Sequence, residues 1–345
     1  MDLFFTLFLF LLYIISIIYH YCNISFEKYK YGMKLTGIFP SKSKPQQITN
    51  RLFNVPLSPL KSPYKQLDQT ELPEFLLYKS KILTPLQLQG ACGSCWAFVT
   101  CKILSDRLSI MSNGIHRYNL SVQQLLSCAE NKNGCYGGNP EDAFKWLEDN
   151  NYGLKPDFLI PYEQEKSMLI TSQCPADHSG VTVKNNSIIS LAKFIKEETY
   201  DKSILKENIR NMKQELFSGG PFYAALTIYD DFYTFNGNGI YKSDKKTQLG
   251  GHAIEIIGYC DKGVDKRVNF DGDGYWICRN TWSDWPTGVE NKRGYFNILM
   301  GSNECGIESR CCTADPEISN FNILTISEDN IYTDFESFKN HNFKL

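Results

Sequence analysis

The chain carries a cysteine, a histidine and an asparagine in contexts where the three side chains can cooperate in nucleophilic chemistry. The densest signal is Gln89-Gly90-Ala91-Cys92-Gly93-Ser94-Cys95-Trp96-Ala97-Phe98, with Cys95 as the candidate nucleophile. Beyond it Phe98, Cys101, Ile103, Leu104, Leu108 and Met111 recur at three- and four-residue steps as far as Asn113-Gly114, which predicts a buried helix. Cys95 then occupies the first turn of that helix. Unpaired amides and the positive end of the helix dipole favour an anion there, which brings the reactive thiolate within reach near neutral pH. Gln89 can offer an amide N–H to a developing oxyanion beside the Cys95 backbone N–H, and glycines 90 and 93 let a substrate come close.

A nucleophilic cysteine needs a base. His20 borders an apolar segment, His341 lies in a charged tail, and His116 and His178 sit in polar loop sequence. His252, in Gly250-Gly251-His252-Ala253-Ile254, opens a strong strand beside glycines that leave room for a ligand, and is the candidate. Asn280, at the end of the run Tyr275 to Arg279, can accept the other imidazole N–H without adding charge, and Trp282 would shield that bond from water. Cys92-Gly-Ser-Cys95 also fits a redox pair or half of a zinc site. A redox pair calls for a preceding strand in a short βαβ unit, and zinc calls for a second C-x-x-C or paired histidines; neither pattern occurs.

The segment around Cys95 closely resembles the active-site segment of the papain/cathepsin family of cysteine proteases, and the resemblance extends over about residues 72 to 314. It implies an α+β, papain-like two-lobe fold, with a helical left lobe, an antiparallel β-sheet or barrel right lobe, and the active site in the cleft between them. Cys95, His252, Asn280 and Gln89 match the family's working residues, and Asn280-Thr281-Trp282 is similar to its Asn-Ser-Trp. After Trp282 the pattern departs: Ser283 and Pro286 replace glycines and 287–293 reads as an altered loop. The resemblance implies disulfides Cys92–Cys135 and Cys128–Cys174, substrate backbone along Gly137-Gly138, and Arg310 at the floor of the pocket for the second side chain before the scissile bond. Cys305 lacks its usual partner, so it is free or joined elsewhere, with Cys311 and Cys312 nearest. The implied activity is a cysteine endopeptidase acting on protein or peptide substrates, with no metal or organic cofactor. The alternative is a non-enzymatic binding protein on a protease fold.

The elements that must position these residues follow from periodicity. Ser121-Val-Gln-Gln124 is a capping-box signature that opens a short helix ending at Ser127-Cys128, and Pro140 to about Asn150 is amphipathic. From Val181 onward, β-prone runs appear at 187–194, 222–228, 252–259, 275–279 and 294–299. One helix interrupts them, with Leu205, Ile209, Met212 and Leu216 on its inner face and Gly219-Gly220-Pro221 as its stop.

A net charge of −2 gives nucleic acid no electrostatic foothold, and a monomer is expected. Twelve cysteines are too many to idle in a reducing cytosol, so the catalytic domain is placed on an oxidising side, secreted or in a lysosome-like compartment. Leu3 to Tyr19 is free of charge, and no small-x-small cleavage site follows it, so residues 1–23 read as a membrane anchor or signal segment, with an uncleaved single-pass anchor favoured. Lys28, Lys30 and Lys34 would hold the following side in the cytosol, against the disulfide pattern, which carries more weight. Residues 24–71 read as a connector or short propeptide-like segment, 72–314 as the protease domain, and 315–345 as a C-terminal extension. Asn119-Leu-Ser121 and Asn185-Asn-Ser187 spell glycosylation sequons.

Overall fold

The computed structural model of the chain describes residues 72–129, 134–163, 174–195, 201–282, 285, 294–319 and 332–333. The expected anchor and the connector at 24–71 lie outside them, as do most of the altered loop after Trp282 and most of the tail. Everything described belongs to one compact unit, Phe53–Leu345. Among the described residues no helix is long and apolar enough to cross a membrane.

In chain order the elements are β1 (Phe75–Tyr78), α1 (Cys95–Met111), α2 (Val122–Cys128), α3 (Pro140–Asp149), β2 (Gly180–Val183), β3 (Ile189–Ser190), α4 (Lys202–Ser218) and β4 (Phe222–Tyr229). There follow α5 (Asp230–Thr234), β5 (Ile240–Tyr241), β6 (Gln248–Asp261), β7 (Gly274–Arg279), β8 (Tyr295–Met300), β9 (Cys311–Thr313), β10 (Pro316–Ser319) and β11 (Tyr332–Thr333). Side-chain caps start α2, α3 and α4. The Ser121 hydroxyl accepts from Gln124 N at 3.0 Å, Asn139 Oδ1 from Glu141 N at 3.1 Å ahead of Pro140, and Asp201 Oδ1 from Ser203 N at 2.7 Å. Only half of the expected capping box forms. The Gln124 amide instead bonds Gly153 O and Lys155 N, so it joins two segments of the lobe.

The main sheet runs β3-β9-β4-β6-β7-β8-β5, antiparallel throughout except where β5 meets β8, with β1 added to the far half of β6 and β11 paired to β1. Strand β6 serves two neighbours in turn: β4 along 248–256 and β1 along 258–260, with an irregularity between Ile256 and Gly258. Gly258 is required there, because a Cβ would sit 2.4 Å from the Leu76 carbonyl oxygen. One hydrophobic core gathers on this sheet around Phe222, Ile254, Ile256, Tyr259, Trp276 and Ile298. A second core gathers around α1, α2 and α3, with Trp96, Phe98, Leu104, Leu125, Phe144 and Leu147.

Two features depart from the expected division into halves. β1, from the start of the domain, lies in the sheet lobe. β10 follows β9 after two residues yet pairs with β2 beside the helical core, so residues 316–319 pack as part of the domain. The run 187–194 forms only the two-residue strand β3.

Helix α1 is buried on every side, not along a stripe: Trp96 through Ile110 are all inside. Its polar residues are therefore matched to partners in both lobes. Arg107 donates to Glu215 Oε1 (2.5 Å), Asp315 Oδ1 (3.1 Å), Thr313 Oγ1 (2.7 Å) and the Pro221 carbonyl (3.1 Å), tying α1 to α4, β4, β9 and the start of β10. Breaking a buried pair on one side strands its partner's charge. Glu215→Ala is expected to cost about 3–5 kcal/mol in a urea unfolding titration. A loss under about 1 kcal/mol would mean that Arg107 is satisfied without Glu215.

Candidate active site

Cys95 stands at the N-terminus of α1, where the preceding turn is pinned to a second loop. The Cys92–Cys135 disulfide closes this contact and Gly93 N donates to Cys135 O at 2.8 Å. A side chain at Gly93 would meet that same oxygen at 2.4 Å, so only glycine permits the approach. With Cys92 bonded to Cys135 and Cys95 free and partly exposed, Cys92 and Cys95 do not form a redox pair. Cys128 and Cys174 form the second disulfide. Cys305 is unpaired, as are Cys311 and Cys312.

Burial raises the Cys95 thiol above its ordinary value, opposed by backbone amides of Ala253, Trp96 and Cys95 itself. The Ala253 amide belongs to the residue after His252, so β6 brings the histidine's backbone against the sulfur. His252 Nε2 lies 2.7 Å from Asn280 Oδ1, which also accepts from Thr281 N at 2.7 Å. Strand pairing sets this contact, since β6 and β7 are neighbours and Asn280 follows directly on β7. Burial lowers the imidazole to about 4, and the bond to Asn280 pulls it upward. Each group taken singly is therefore held neutral, in contrast to the ready thiolate expected from the helix dipole. Desolvation outweighs the dipole at this depth.

Trp282 lies over His252 with ring centroids 4.6 Å apart. On its other side Tyr233 of α5 stacks at 4.8 Å and 8°, while Phe232, Trp285 and Phe296 pack edge-on or tilted beneath. Nothing in the sequence around Tyr233, an exposed ring on a five-residue helix, marks it as part of the site.

Gln89 is held from three directions. Its Nε2 donates to Cys92 O (2.9 Å), its Oε1 accepts from Thr281 Oγ1 (2.6 Å), and its carbonyl accepts from the Tyr162 hydroxyl (2.7 Å). Thr281 therefore links Gln89 to the turn bearing Asn280, a contact across 192 residues that local pattern could not disclose. One cleft of about 1250 Å³ is bordered by Gln89, Cys95, Gly137, Gly138, His252, Trp282 and Arg310, with Asn280 and Thr281 behind its wall. Gly137 (φ +107°) leaves the wall open where a side chain would stand. Arg310 is exposed, its guanidinium carbon 4.9 Å from the Phe194 ring centroid, and makes no ion pair among the described residues. Glu308 is buried and accepts from Trp276 Nε1, Gly301 N and Asn303 N instead. At the first sequon, Asn119 is buried and its Oδ1 accepts from Lys102 Nζ at 2.7 Å, which leaves no room for a glycan; Asn185 is exposed.

Residues 72–314 match the profile of the papain family of cysteine proteases. Cathepsin B-like cysteine proteinase 5 of Caenorhabditis elegans is 32% identical over 255 residues, spanning 68% of this chain and 70% of that one. Among solved structures, procathepsin B S9 from Trypanosoma congolense superposes with a TM-score of 0.54 at 26% identity, covering 76% and 84% of the two chains. The digestive procathepsin L2 of Tenebrio molitor larval midgut gives 0.52 at 26% identity, with 68% and 65% covered. The two cores, the cleft between them and a match over residues 72–314 establish that this chain belongs to the papain family of cysteine proteases.

Proposed function

We propose that the chain is an endopeptidase that cleaves peptide bonds through Cys95, with His252 as base and acid, Asn280 as the group that orients His252, and Gln89 as an oxyanion donor. The observation that carries this reading is the 2.7 Å contact of His252 Nε2 with Asn280 Oδ1, in the cleft where Cys95 heads its helix. That contact commits one ring nitrogen and leaves Nδ1 to serve the thiol. Proton transfer from Sγ to Nδ1 creates both charges together. Opposite charges in contact attract strongly where water is excluded, which offsets the desolvation that keeps each group neutral alone.

The thiolate then attacks the substrate carbonyl carbon, and the oxygen takes up the carbonyl π electrons as an oxyanion. The Cys95 N–H, without a helical partner, and the second hydrogen of Gln89 Nε2 receive it. The His252 imidazolium protonates the leaving amine as the C–N bond breaks, giving a thioester on Cys95. Water, deprotonated by His252, attacks the thioester and releases the acid and the thiol. The substrate lies extended, hydrogen-bonded through its backbone to Gly137-Gly138, where no side chain obstructs it. Among the described residues on the His252 side of the cleft, Gly251, Ala253, Tyr233, Trp282 and Trp285 carry no fixed charge to hold a chain terminus, which supports cleavage within chains. Two disulfides support a location on an oxidising side, secreted or lysosome-like.

Cys95→Ser is expected to abolish hydrolysis and labelling by an epoxide probe while leaving the unfolding curve intact; labelling that persists would move the nucleophile elsewhere. Asn280→Ala removes the bond that supports the imidazolium. It is expected to lower kcat/KM about 10- to 100-fold and to shift the alkaline limb of the pH–rate profile to lower pH, because a less basic His252 gives up its proton sooner. An unchanged alkaline limb would take Asn280 out of this role.

Arg310 gives the pocket for the second side chain before the scissile bond a preference for Glu and Asp over Arg and Lys. Stacking on Phe194 and the absence of an ion pair among the described residues leave its N–H groups for a substrate carboxylate. Solvent screens an exposed cation, so the preference is modest, about three- to tenfold. A positional-scanning peptide library compared between wild type and Arg310→Ala reads it directly, and equal profiles would remove the assignment. The N-terminal segment acts as an uncleaved anchor, so full-length protein is expected to stay with membranes through carbonate extraction. A soluble product beginning near Asn23 would show a cleaved signal instead.

A further inference from the structure

Each of the four residues assigned above sits on a different segment, and all four segments send a group into one buried polar cluster beneath the cleft. Helix α1 carries Cys95 at its start and Asp106 eleven residues later, about 16 Å along the axis. Strand β6 carries His252 and, three residues on, Glu255. Strand β7 ends in Arg279, the residue before Asn280. The segment leading to Gln89 contributes Thr84. These residues meet around the Arg279 guanidinium. Nε donates to Glu255 Oε2 at 2.6 Å, the NH2 group donates to Glu255 Oε2 at 2.5 Å and to Asp106 Oδ2, and the NH1 group donates to the Thr84 carbonyl at 3.1 Å. Asp106 Oδ1 accepts in turn from Thr84 N (2.6 Å) and Thr84 Oγ1 (2.5 Å). Lys102, one turn earlier on α1, donates to Thr84 Oγ1 (3.2 Å), Asn119 Oδ1 (2.7 Å) and the Pro85 carbonyl. Thr84, Lys102, Asp106, Glu255 and Arg279 are each no more than 3% exposed.

We propose that Arg279 is a positioning residue for the reaction: by bonding Asp106, Glu255 and Thr84 at once, it sets the placement of Asn280 and His252 relative to Cys95 and Gln89. This inference rests on the functional reading above. Stability alone does not call for such a cluster, since well-packed apolar side chains of similar volume are commonly as stable as a buried ion pair. What a guanidinium adds is direction. Its planar fork presents donors at fixed angles to several acceptors, whereas an ammonium is a point charge on a flexible stem. The backbone leaving Arg279 is the backbone entering Asn280, so a rotation of that fork would be felt at the 2.7 Å contact with His252. The proposal concerns geometry within reach of the reacting atoms: sub-ångström displacement at a reacting centre costs rate far more than it costs stability.

Two variants test this. Arg279→Lys keeps the charge and loses the fork. The triple variant Asp106→Asn, Glu255→Gln, Arg279→Met removes the charges at nearly constant volume. For each, three quantities are measured: the thermal midpoint, kcat and KM on a peptide substrate, and the pH profile of Cys95 alkylation by iodoacetamide, which reports the thiol–imidazole pair without turnover. The expected result is that a folded variant loses about 30-fold or more in kcat with KM within about twofold, and that its alkylation profile shifts from the wild-type one. A folded variant with wild-type kcat and alkylation profile overturns the proposal. So does failure of both variants to fold, since the cluster is then a stability element. Failure of the functional reading shows separately, as wild-type protein whose Cys95 neither reacts with iodoacetamide nor supports hydrolysis.

Discussion

The structure depends on the complete burial of one helix. α1 runs between the two cores with Trp96 to Ile110 inside, and so both lobes must satisfy it. A buried helix offers no solvated face, so every polar group on it needs a partner. Thr100 and Ser105 turn their hydroxyls back to the carbonyls four residues before them, and Ser109 reaches the Ile82 carbonyl. Lys102, Asp106 and Arg107 have no such local option, and their partners come from β1's trailing loop, α4, β6, β7 and the start of β10.

This requirement explains how the lobes are held together. Apolar contact between two rounded cores is non-directional and would permit them to slide. The ion pairs of Arg107 and of Asp106 with Arg279 name particular partners, Glu215 and Asp315 in one case and Glu255 in the other. The path from β9 to β10 adds a covalent strap, because Ala314 and Asp315 carry the chain from the sheet to the helical core. A cleft must expose its walls and keep its width. Here the width is set below the opening, where water does not compete for the hydrogen bonds.

The upper end of α1 obeys the opposite rule. Its first turn leaves Cys95 partly exposed, and neighbouring loops are brought near through glycine and a disulfide rather than side-chain packing. The aromatic group on the other wall, from Tyr233 through Trp282 to His252, keeps the imidazole dry on one face while the cleft wets the other. Desolvation then acts on Cys95 and His252 in opposite senses, raising the thiol and lowering the imidazole.

The amino-acid sequence by itself determined what local rules and motif spacing can determine. Helix starts at Ser121, Pro140 and the residue after Ser94, the strand carrying His252 and the family resemblance across 72–314 were all legible, because caps, periodicity and motif are properties of neighbouring residues. Only tertiary structure decided the rest. That α1 carries Lys102, Asp106 and Arg107 inside as well was not legible, because their partners lie on α4, β6, β7 and other distant segments. Thr281 bonding Gln89, Tyr233 stacking on Trp282, and β10 pairing with β2 are contacts between distant segments, whose meeting depends on the register of the whole sheet. The balance of charge at Cys95 changed for the same reason. The helix dipole is a local property and could be inferred, whereas the burial that opposes it is supplied by the other lobe.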